Sequence, residues 1–162
     1  MTTHQKQAQE VTILSSQYRG IILHEVSMLE IMIDLFLANH FCKDELTKKH
    51  FLKFVLNSKV IVFENKRVVL KKIVEESYPN FSKKIPKYYA RLDKIRDLRN
   101  AFAHHQVDIT LEGLELAKEN QTIVLLDGSK ERTEHKITSI LEMIEDIRVI
   151  YNEIAKMTNP NK

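Results

Sequence analysis

Apolar residues recur every three or four positions along most of this chain, which is the spacing of amphipathic α-helices. The spacing begins at Thr3 and continues to Phe41, so it predicts one long first helix. Gly20 lies within it and is a position where the helix could bend or break. The apolar positions of this helix are Val11, Leu14, Tyr18, Ile21, Ile22, Met28, Leu29, Met32, Ile33, Phe36 and Leu37.

Two shorter helices are predicted next. Asp44 is a suitable N-cap for a helix from Glu45 to about Asn57, and Ser58 for a helix that ends at about Ser77. We expect their apolar side chains to face a core. These are Leu46, Phe51, Phe54 and Val55 in the first helix and Ile61, Val62, Val69, Leu70, Ile73 and Val74 in the second.

A fourth helix is predicted after a break at residues 78–82, because the residue before a proline disfavours helical geometry. Pro86 suits the first turn of this helix, which should end near His105. Its apolar ladder consists of Tyr88, Leu92, Ile95, Leu98 and Phe102.

The pattern becomes β-like after Gln106. A strand over 121–126, the turn signal Asp127-Gly128 and a return strand over 131–135 predict a hairpin at about 121–136. Either 107–111 or 113–116 could add a third short strand.

A last helix is predicted from Ser139, which opens a capping box with Glu142, to about residue 157. The sum is a mainly α protein with one domain over 1–162. We expect an up-and-down bundle of four to five helices with a small β-hairpin insertion before the last helix. The apolar side of the last helix is Ile140, Met143, Ile144, Ile147, Ile150, Tyr151 and Ile154.

Composition narrows the class of protein. With 43% hydrophobic and 29% charged residues, the 162-residue chain has the makeup of a folded globular domain. Cys42 is the single cysteine, which excludes a disulfide within the chain and a cysteine metal cluster. The N-terminal residues lack the pattern of a secretory signal, and the most apolar stretch, 31–38, is too short to span a membrane. We therefore expect a cytoplasmic protein without metal or cofactor.

Charge is unevenly distributed along the chain. Residues 43–105 contain sixteen lysines and arginines against seven acids, a net charge of +9, whereas the flanks carry −6, which together give the overall +3. A basic middle of this kind is expected where a protein meets a polyanion. Solvated lysines on amphipathic helices would produce the same pattern.

One segment carries a specific signal, at the end of the fourth predicted helix. Residues 97–105 read Asp-Leu-Arg-Asn-Ala-Phe-Ala-His-His. Arg99, followed by Asn100 and then by His104 preceded by Ala103, resembles the Arg-(four to six residues)-His motif of HEPN proteins. The acidic and apolar residues over 29–36 resemble the first helix of that family. The late hairpin before a closing helix is similar to one bacterial branch of it.

This resemblance implies a two-fold dimer that places two motifs across one cleft and cuts RNA without metal, leaving a cyclic phosphate. Arg99 and His104 would be the catalytic residues, and Asn100 would hold His104 or a phosphate. Such a nuclease would serve as a toxin or a phage-defence effector. The alternatives are a non-catalytic HEPN-like module that binds a partner such as a nucleotidyltransferase-type antitoxin, and a plain helical dimer with an accidental motif.

The chemistry of the pair supports the first interpretation. Arginine presents a planar fork of donors that fits phosphate oxygens and stays charged. Histidine exchanges protons near neutral pH. Residues five apart on an α-helix lie about 140° apart around its axis, so Arg99 and His104 cannot converge on one straight helix. Either the helix frays near Ala103 or a second copy supplies the missing group.

Other residues receive supporting or alternative roles. His105 also has the permitted spacing, or could cap the helix, and Arg99 could pair with Asp97 or Asp93. Glu30 and Asp34 share a helix face. They could bind a cation, act as a general acid/base pair, or form salt bridges with basic residues such as Arg99 or Arg96. Further RNA contacts are predicted for Lys83, Lys84, Lys87, Arg91 and Arg96. Tyr88 and Tyr89 beside them either stack on bases, or one packs in the core while the other is exposed.

Overall fold

The computed structural model of the chain describes residues 2–158, which are mainly helical with one small antiparallel sheet. This described part contains seven α-helices, one π-helical segment and three strands. In chain order they are α1 (Thr3–Phe41), α2 (Glu45–Phe51), the π segment (Leu52–Leu56), α3 (Phe63–Ser77), α4 (Pro79–Lys84), α5 (Tyr88–His104), β1 (Gln106–Val107), α6 (Leu111–Asn120), β2 (Thr122–Leu126), β3 (Arg132–Lys136) and α7 (Ile137–Thr158).

The chain divides into two compact units. Among the described residues, the first consists of 2–26 and 95–145, and the second of 27–94 and 146–158. Helices α1, α5 and α7 each contribute residues to both units. The expectation of one domain over 1–162 remains a prediction.

The first unit contains the sheet, in which β2 lies between β1 and β3. Both neighbours are antiparallel to β2, with Val107 opposite Leu125 and Ile123 opposite His135. Because β2 is covered on both faces, its side chains form a continuous apolar run rather than an alternating one. The buried apolar residues of this unit are Ile22, Val26, Ile95, Leu98, Ala101, Phe102, Leu114, Ala117, Ile123, Val124, Leu125, Ile140 and Ile144.

Asp108, which follows β1, fixes the start of α6. Its Oδ1 accepts hydrogen bonds from the backbone N–H (2.9 Å) and hydroxyl (2.7 Å) of Thr110, and its Oδ2 accepts from Nε of Arg132 on β3 (2.6 Å). Thr110 is the N-cap of α6 and accepts from the backbone N–H of Gly113. Burial raises the pKa of Asp108, but the bonds from Thr110 and Arg132 lower it more, so its pKa lies below the ordinary value.

The second unit is built from the end of α1, α2, the π segment, α3, α4, the start of α5 and the end of α7. Asp44 caps α2 as predicted, since its Oδ1 accepts from the backbone N–H of Thr47 (2.9 Å). Its buried apolar residues are Leu29, Ile33, Phe36, Leu37, Ala38, Cys42, Leu56, Leu70, Ile73, Val74, Phe81, Ile85, Tyr88, Leu92, Ile147, Ile150 and Ile154.

The strongly periodic elements were predicted correctly. Helix α1 has the predicted bounds and continues through Gly20, although Ile21 and Met28 are exposed. The hairpin forms over β2 and β3, with a turn in which Oδ1 of Asp127 accepts from the N–H groups of Ser129 and Glu131. All five residues of the α5 ladder are buried, and so are the five predicted isoleucines of α7, Ile140, Ile144, Ile147, Ile150 and Ile154.

The prediction for residues 45–62 was partly wrong. The second helix is α-helical only to Phe51 and then π-helical, and Leu46, Phe54 and Val55 are exposed instead of buried. The third begins at Phe63 rather than at Ser58. The β-branched run over 60–62 is not helical: Val62 is the N-cap of α3 in extended geometry, and its backbone N–H donates to Oδ1 of Asn65. Val62 is consequently exposed.

Other bounds also differ from the predicted ones. Pro79 opens the additional helix α4, and Pro86 lies in the turn before α5. The third strand is β1, which shares only Val107 with the predicted strand over 107–111. The alternative strand at 113–116 lies in α6, a helix that was not predicted. With α4 and α6 added, the described residues contain seven α-helices rather than four to five. Helix α7 begins two residues earlier than predicted.

Candidate active site

The Arg-x4-His segment occupies the C-terminal end of α5, in the first unit. Leu98, Ala101 and Phe102 are buried there, and Phe102 is fully so. The three buried positions occupy one side of the helix, so Arg99 and Asn100 lie on the outer side and are exposed. His104, the last residue of α5, is exposed as well.

Arg99 is held by its neighbour. Its Nη1 donates to Oδ1 of Asn100 at 3.0 Å, and among residues 2–158 no carboxylate pairs with it. The two acids considered as partners bond to other arginines, Asp97 to Arg96 (2.8 Å) and Asp93 to Arg67 (2.8 Å). Asn100 was expected to hold His104 or a phosphate; in this structure its side-chain oxygen orients Arg99. The guanidinium charge is therefore positioned by a neutral group.

Helix α5 remains helical through His104, so the alternative in which it frays near Ala103 is wrong. Five residues of regular α-helix place Arg99 and His104 about 140° apart around the axis. Within one chain the two side chains thus leave the helix on different sides.

His105 faces the interior, unlike His104. Its backbone N–H continues the helical pattern by donating to the carbonyl of Ala101 (2.9 Å), and its own carbonyl accepts from Nη2 of Arg19 on α1 (2.8 Å). The ring is half-buried, and its Nδ1 is buried without a hydrogen-bond partner among the described residues. Both histidines have the permitted spacing from Arg99, but only His104 is exposed to a ligand, whereas His105 is half-buried.

His135 on β3 is a residue that the sequence analysis missed. Its ring contacts that of Phe102 at a centroid distance of 5.4 Å, which places it beside the last turn of α5. Burial lowers its pKa, and the nearby charge of His105 lowers it further. The alternation of strand β3 was a usable signal, because the charged Arg132, Glu134 and Lys136 share one side of the strand and His135 the other.

Glu30 and Asp34 are bound to Lys66 of α3, which corrects the proposed partners Arg99 and Arg96. The Lys66 ammonium lies 2.8 Å from both carboxylates, and its side chain is only 4% exposed. Burial raises the pKa of Asp34 and outweighs the opposing effect of Lys66. Burial lowers the pKa of Lys66, but the bonds to Asp34 and Glu30 raise it more, so its pKa is raised. This arrangement is a buried ion cluster.

The predicted RNA-binding residues are divided by their contacts. Lys83 and Lys87 are exposed, whereas Lys84 pairs with Glu153 (3.2 Å) and Arg91 with Asp146 (2.9 Å). Arg96, as described above, bonds to Asp97. Carboxylates thus neutralise three of the five basic groups.

Tyr88 and Tyr89 are not open stacking surfaces. Tyr88 is 5% exposed, and burial raises its pKa to about 12. Tyr89 is covered by Arg67 and Lys71, whose cationic groups lie 4.1 and 4.6 Å from its ring centroid.

Residues 2–158 contain neither a metal-binding group of side chains nor a membrane-spanning helix. No three His, Cys, Asp or Glu side chains of this part are grouped as a metal would require. None of its helices combines the length and apolar character needed to cross a bilayer.

Comparisons with models of protein families, with curated proteins and with solved structures find no match to this chain.

Proposed function

We propose that the chain is a metal-independent endoribonuclease of the HEPN type, which acts as a dimer and serves as a toxin or phage-defence effector. The observation that supports this most is the arrangement at the end of α5. An exposed guanidinium, oriented by a neutral amide at 3.0 Å, shares this helix end with an exposed imidazole.

These groups suit cleavage of a phosphodiester by the ribose 2′-hydroxyl. The 2′-oxygen attacks phosphorus while a base takes its proton, the bond from phosphorus to the 5′-oxygen breaks, and an acid protonates that oxygen. His104 supplies one proton transfer, and Arg99 donates hydrogen bonds to the phosphorane oxygens. A 2′,3′-cyclic phosphate and a 5′-hydroxyl are the products.

The proposal needs a second subunit for a geometric reason. Arg99 and His104 diverge on one regular helix, so one chain alone cannot bring both groups to the same phosphodiester. A two-fold axis close to the end of α5 brings the Arg99 of one subunit toward the His104 of the other. Each site is then composite.

The test is cleavage of total cellular RNA by the purified chain in the presence of a chelator. His104→Ala and Arg99→Ala should each lower the rate by about 100-fold or more. His24→Ala removes an exposed histidine of α1 and is the matched control. Arg99→Lys keeps the charge but loses the planar fork, so its rate should be intermediate.

Circular dichroism must show that every variant is folded. Two results would refute the proposal. One is a wild-type chain that leaves RNA intact with and without added divalent cation. The other is cleavage that persists at the wild-type rate in both alanine variants, which would indicate a contaminating nuclease.

A further inference from the structure

Aromatic rings are exposed around α2 and the π segment, in the second unit. Phe41 at the end of α1 is 55% exposed and Phe54 in the π segment is 63% exposed. His40 and His50 are exposed beside them. We call residues 40–60 the aromatic–lysine surface. Exposed phenylalanines in such a short segment require an explanation, because large apolar surfaces left in water commonly mark binding sites.

The rings of this surface contact one another. His40 lies 4.9 Å from Phe41, Phe41 lies 6.1 Å from Phe51, and His50 lies 5.7 Å from Phe54, all measured between ring centroids. Nζ of Lys53 lies 5.1 Å from the centroid of the Phe54 ring. This cation lies over the Phe54 ring, but unlike Tyr89, which two cations cover, Phe54 is still 63% exposed.

The surface is basic. Residues 40–60 contain five lysines and two acids, a net charge of +3. Both acids already have partners within the segment: Asp44 accepts a hydrogen bond as the N-cap of α2, and Glu45 forms a salt bridge with Lys48 at 2.7 Å. Lys49 and Lys53 are exposed. The positive charge therefore remains available to an anionic partner.

A groove of about 350 Å³ runs beside these lysines. Leu35, Ala38 and Leu52 give it an apolar part, and Asn39 and Asn57 add amide groups that both donate and accept hydrogen bonds. Three lysines, 48, 49 and 53, also line it, together with one acid, Glu45, which pairs with Lys48.

The π segment gives this region its exposed side chains. Residues 52–56 follow wider π-type turns, in which Leu56 is buried while Phe54 and Val55 are exposed. Single π turns within helices occur frequently at functional sites.

We propose that the aromatic–lysine surface binds single-stranded RNA. Exposed rings stack on unpaired bases, and neighbouring lysines contact the phosphates, which is how proteins hold single strands. The charge complements a polyanion. A protein-binding surface of similar apolar content would be depleted in lysine, so a protein partner fits these residues less well. The inference rests on the proposed function for the choice of RNA, and it adds a substrate-holding surface to that function.

The experiment measures binding without cleavage. In a His104→Ala background, fluorescence anisotropy follows a labelled oligouridylate of about twelve nucleotides at several salt concentrations. Phe54→Ala should weaken binding about tenfold. Lys49→Ala with Lys53→Ala should lower the slope of log K against log salt by about 1.4, since each single-strand phosphate contact contributes about 0.7.

Matched controls lie outside the surface. Leu141→Ala removes an apolar side chain that is 52% exposed, and Lys118→Ala with Lys136→Ala removes two exposed lysines. Both controls should bind like the parent. Unlabelled single-stranded RNA should compete better than duplex RNA of the same length.

Three results would overturn the inference: equal binding by the Phe54 variant and its control, a preference for duplex RNA, or self-association lost in Phe54→Ala with no binding of the oligonucleotide. The two proposals fail separately. If cleavage depends on His104 but not on this surface, the nuclease proposal is supported and the RNA-binding surface is refuted. If the wild type binds RNA through this surface but does not cleave it, the surface is supported and the nuclease proposal is refuted.

Discussion

Gly113 lies in the first turn of α6 against the carboxyl group of Asp108. A Cβ atom at this position would come within 2.4 Å of the Asp108 Cγ. Asp108 cannot easily move, because Thr110 and Arg132 hold both of its oxygens. Gly113→Ala should therefore lower the free energy of unfolding by about 2 kcal/mol, as overpacking does, measured by urea denaturation.

Gly20→Ala is the control for this substitution. Gly20 lies within α1 and its added Cβ would meet nothing within 4 Å. Alanine should stabilise the helix there by about 0.5–1 kcal/mol. Equal stability of the two variants would contradict the close approach described for Gly113.

Lys66 offers a second test at the scale of single residues. Lys66→Met leaves the Asp34 carboxylate buried without its cation, which should cost about 3 kcal/mol of unfolding free energy. The double variant Lys66→Met, Asp34→Leu removes the two buried charges and leaves only the more exposed Glu30, so it should be more stable than the single variant. If the double variant is less stable than Lys66→Met, the buried pair is not what the substitution disrupts.

The candidate site was predictable only in part at this scale. Arg99 and His104 could be identified because a local motif carries them. Lys66, which binds Glu30 and Asp34, could not, because it comes from a helix more than thirty residues away in sequence. The hydrogen bond to the backbone carbonyl of His105 likewise comes from Arg19, a residue 86 positions away.

The β2–β3 hairpin should respond to pH through His135. Because burial lowers its pKa, the unfolded chain takes up this proton more readily than the folded one. Stability is full above the ordinary histidine value of about 6.5 and falls as the pH decreases toward the lower folded value. The thermal midpoint should thus decrease between about pH 7.5 and about pH 5.5.

His135→Gln should flatten this dependence, whereas His24→Gln, at an exposed position, should keep it. Differential scanning fluorimetry over the same pH range measures both. A slope that survives in His135→Gln would mean that another group causes it.

Whether an element could be predicted depended on its length and on its local signals. The apolar spacing of α1 and α5 continues over many turns, and the hairpin has a turn signal in Asp127-Gly128. These local signals were strong enough that the folded chain has the predicted elements. Helix α6 has ten residues with a glycine in its first turn, and its start depends on the Asp108 contacts. The exposed face of α2 was mistaken for a core face because its apolar residues have helical spacing, which does not reveal whether a partner covers them.

For the whole molecule, the proposed dimer predicts complementation between inactive variants. Arg99→Ala and His104→Ala subunits that are mixed and allowed to exchange form heterodimers, each with one intact composite site. The mixture should recover about a quarter of wild-type activity, since about half of the dimers are mixed and one of their two sites works. Cleavage of a fluorescent RNA substrate measures the recovery.

Mixing Arg99→Ala with a second preparation of Arg99→Ala controls for concentration and should recover nothing. If the complementary mixture stays inactive although subunit exchange is shown by mass spectrometry, each site takes both groups from one chain. The two-fold arrangement would then be wrong.

The two compact units are both discontinuous in sequence, and this has a consequence for synthesis of the protein. The unit that carries Arg99 and His104 includes residues up to 145, and the other needs residues from 146 onward. A ribosome that has not yet made α7 therefore carries a chain in which neither unit is complete. Folding of either unit must therefore wait for residues of that last helix. For the nuclease proposed above, this means that a nascent chain should have no assembled site for cutting RNA.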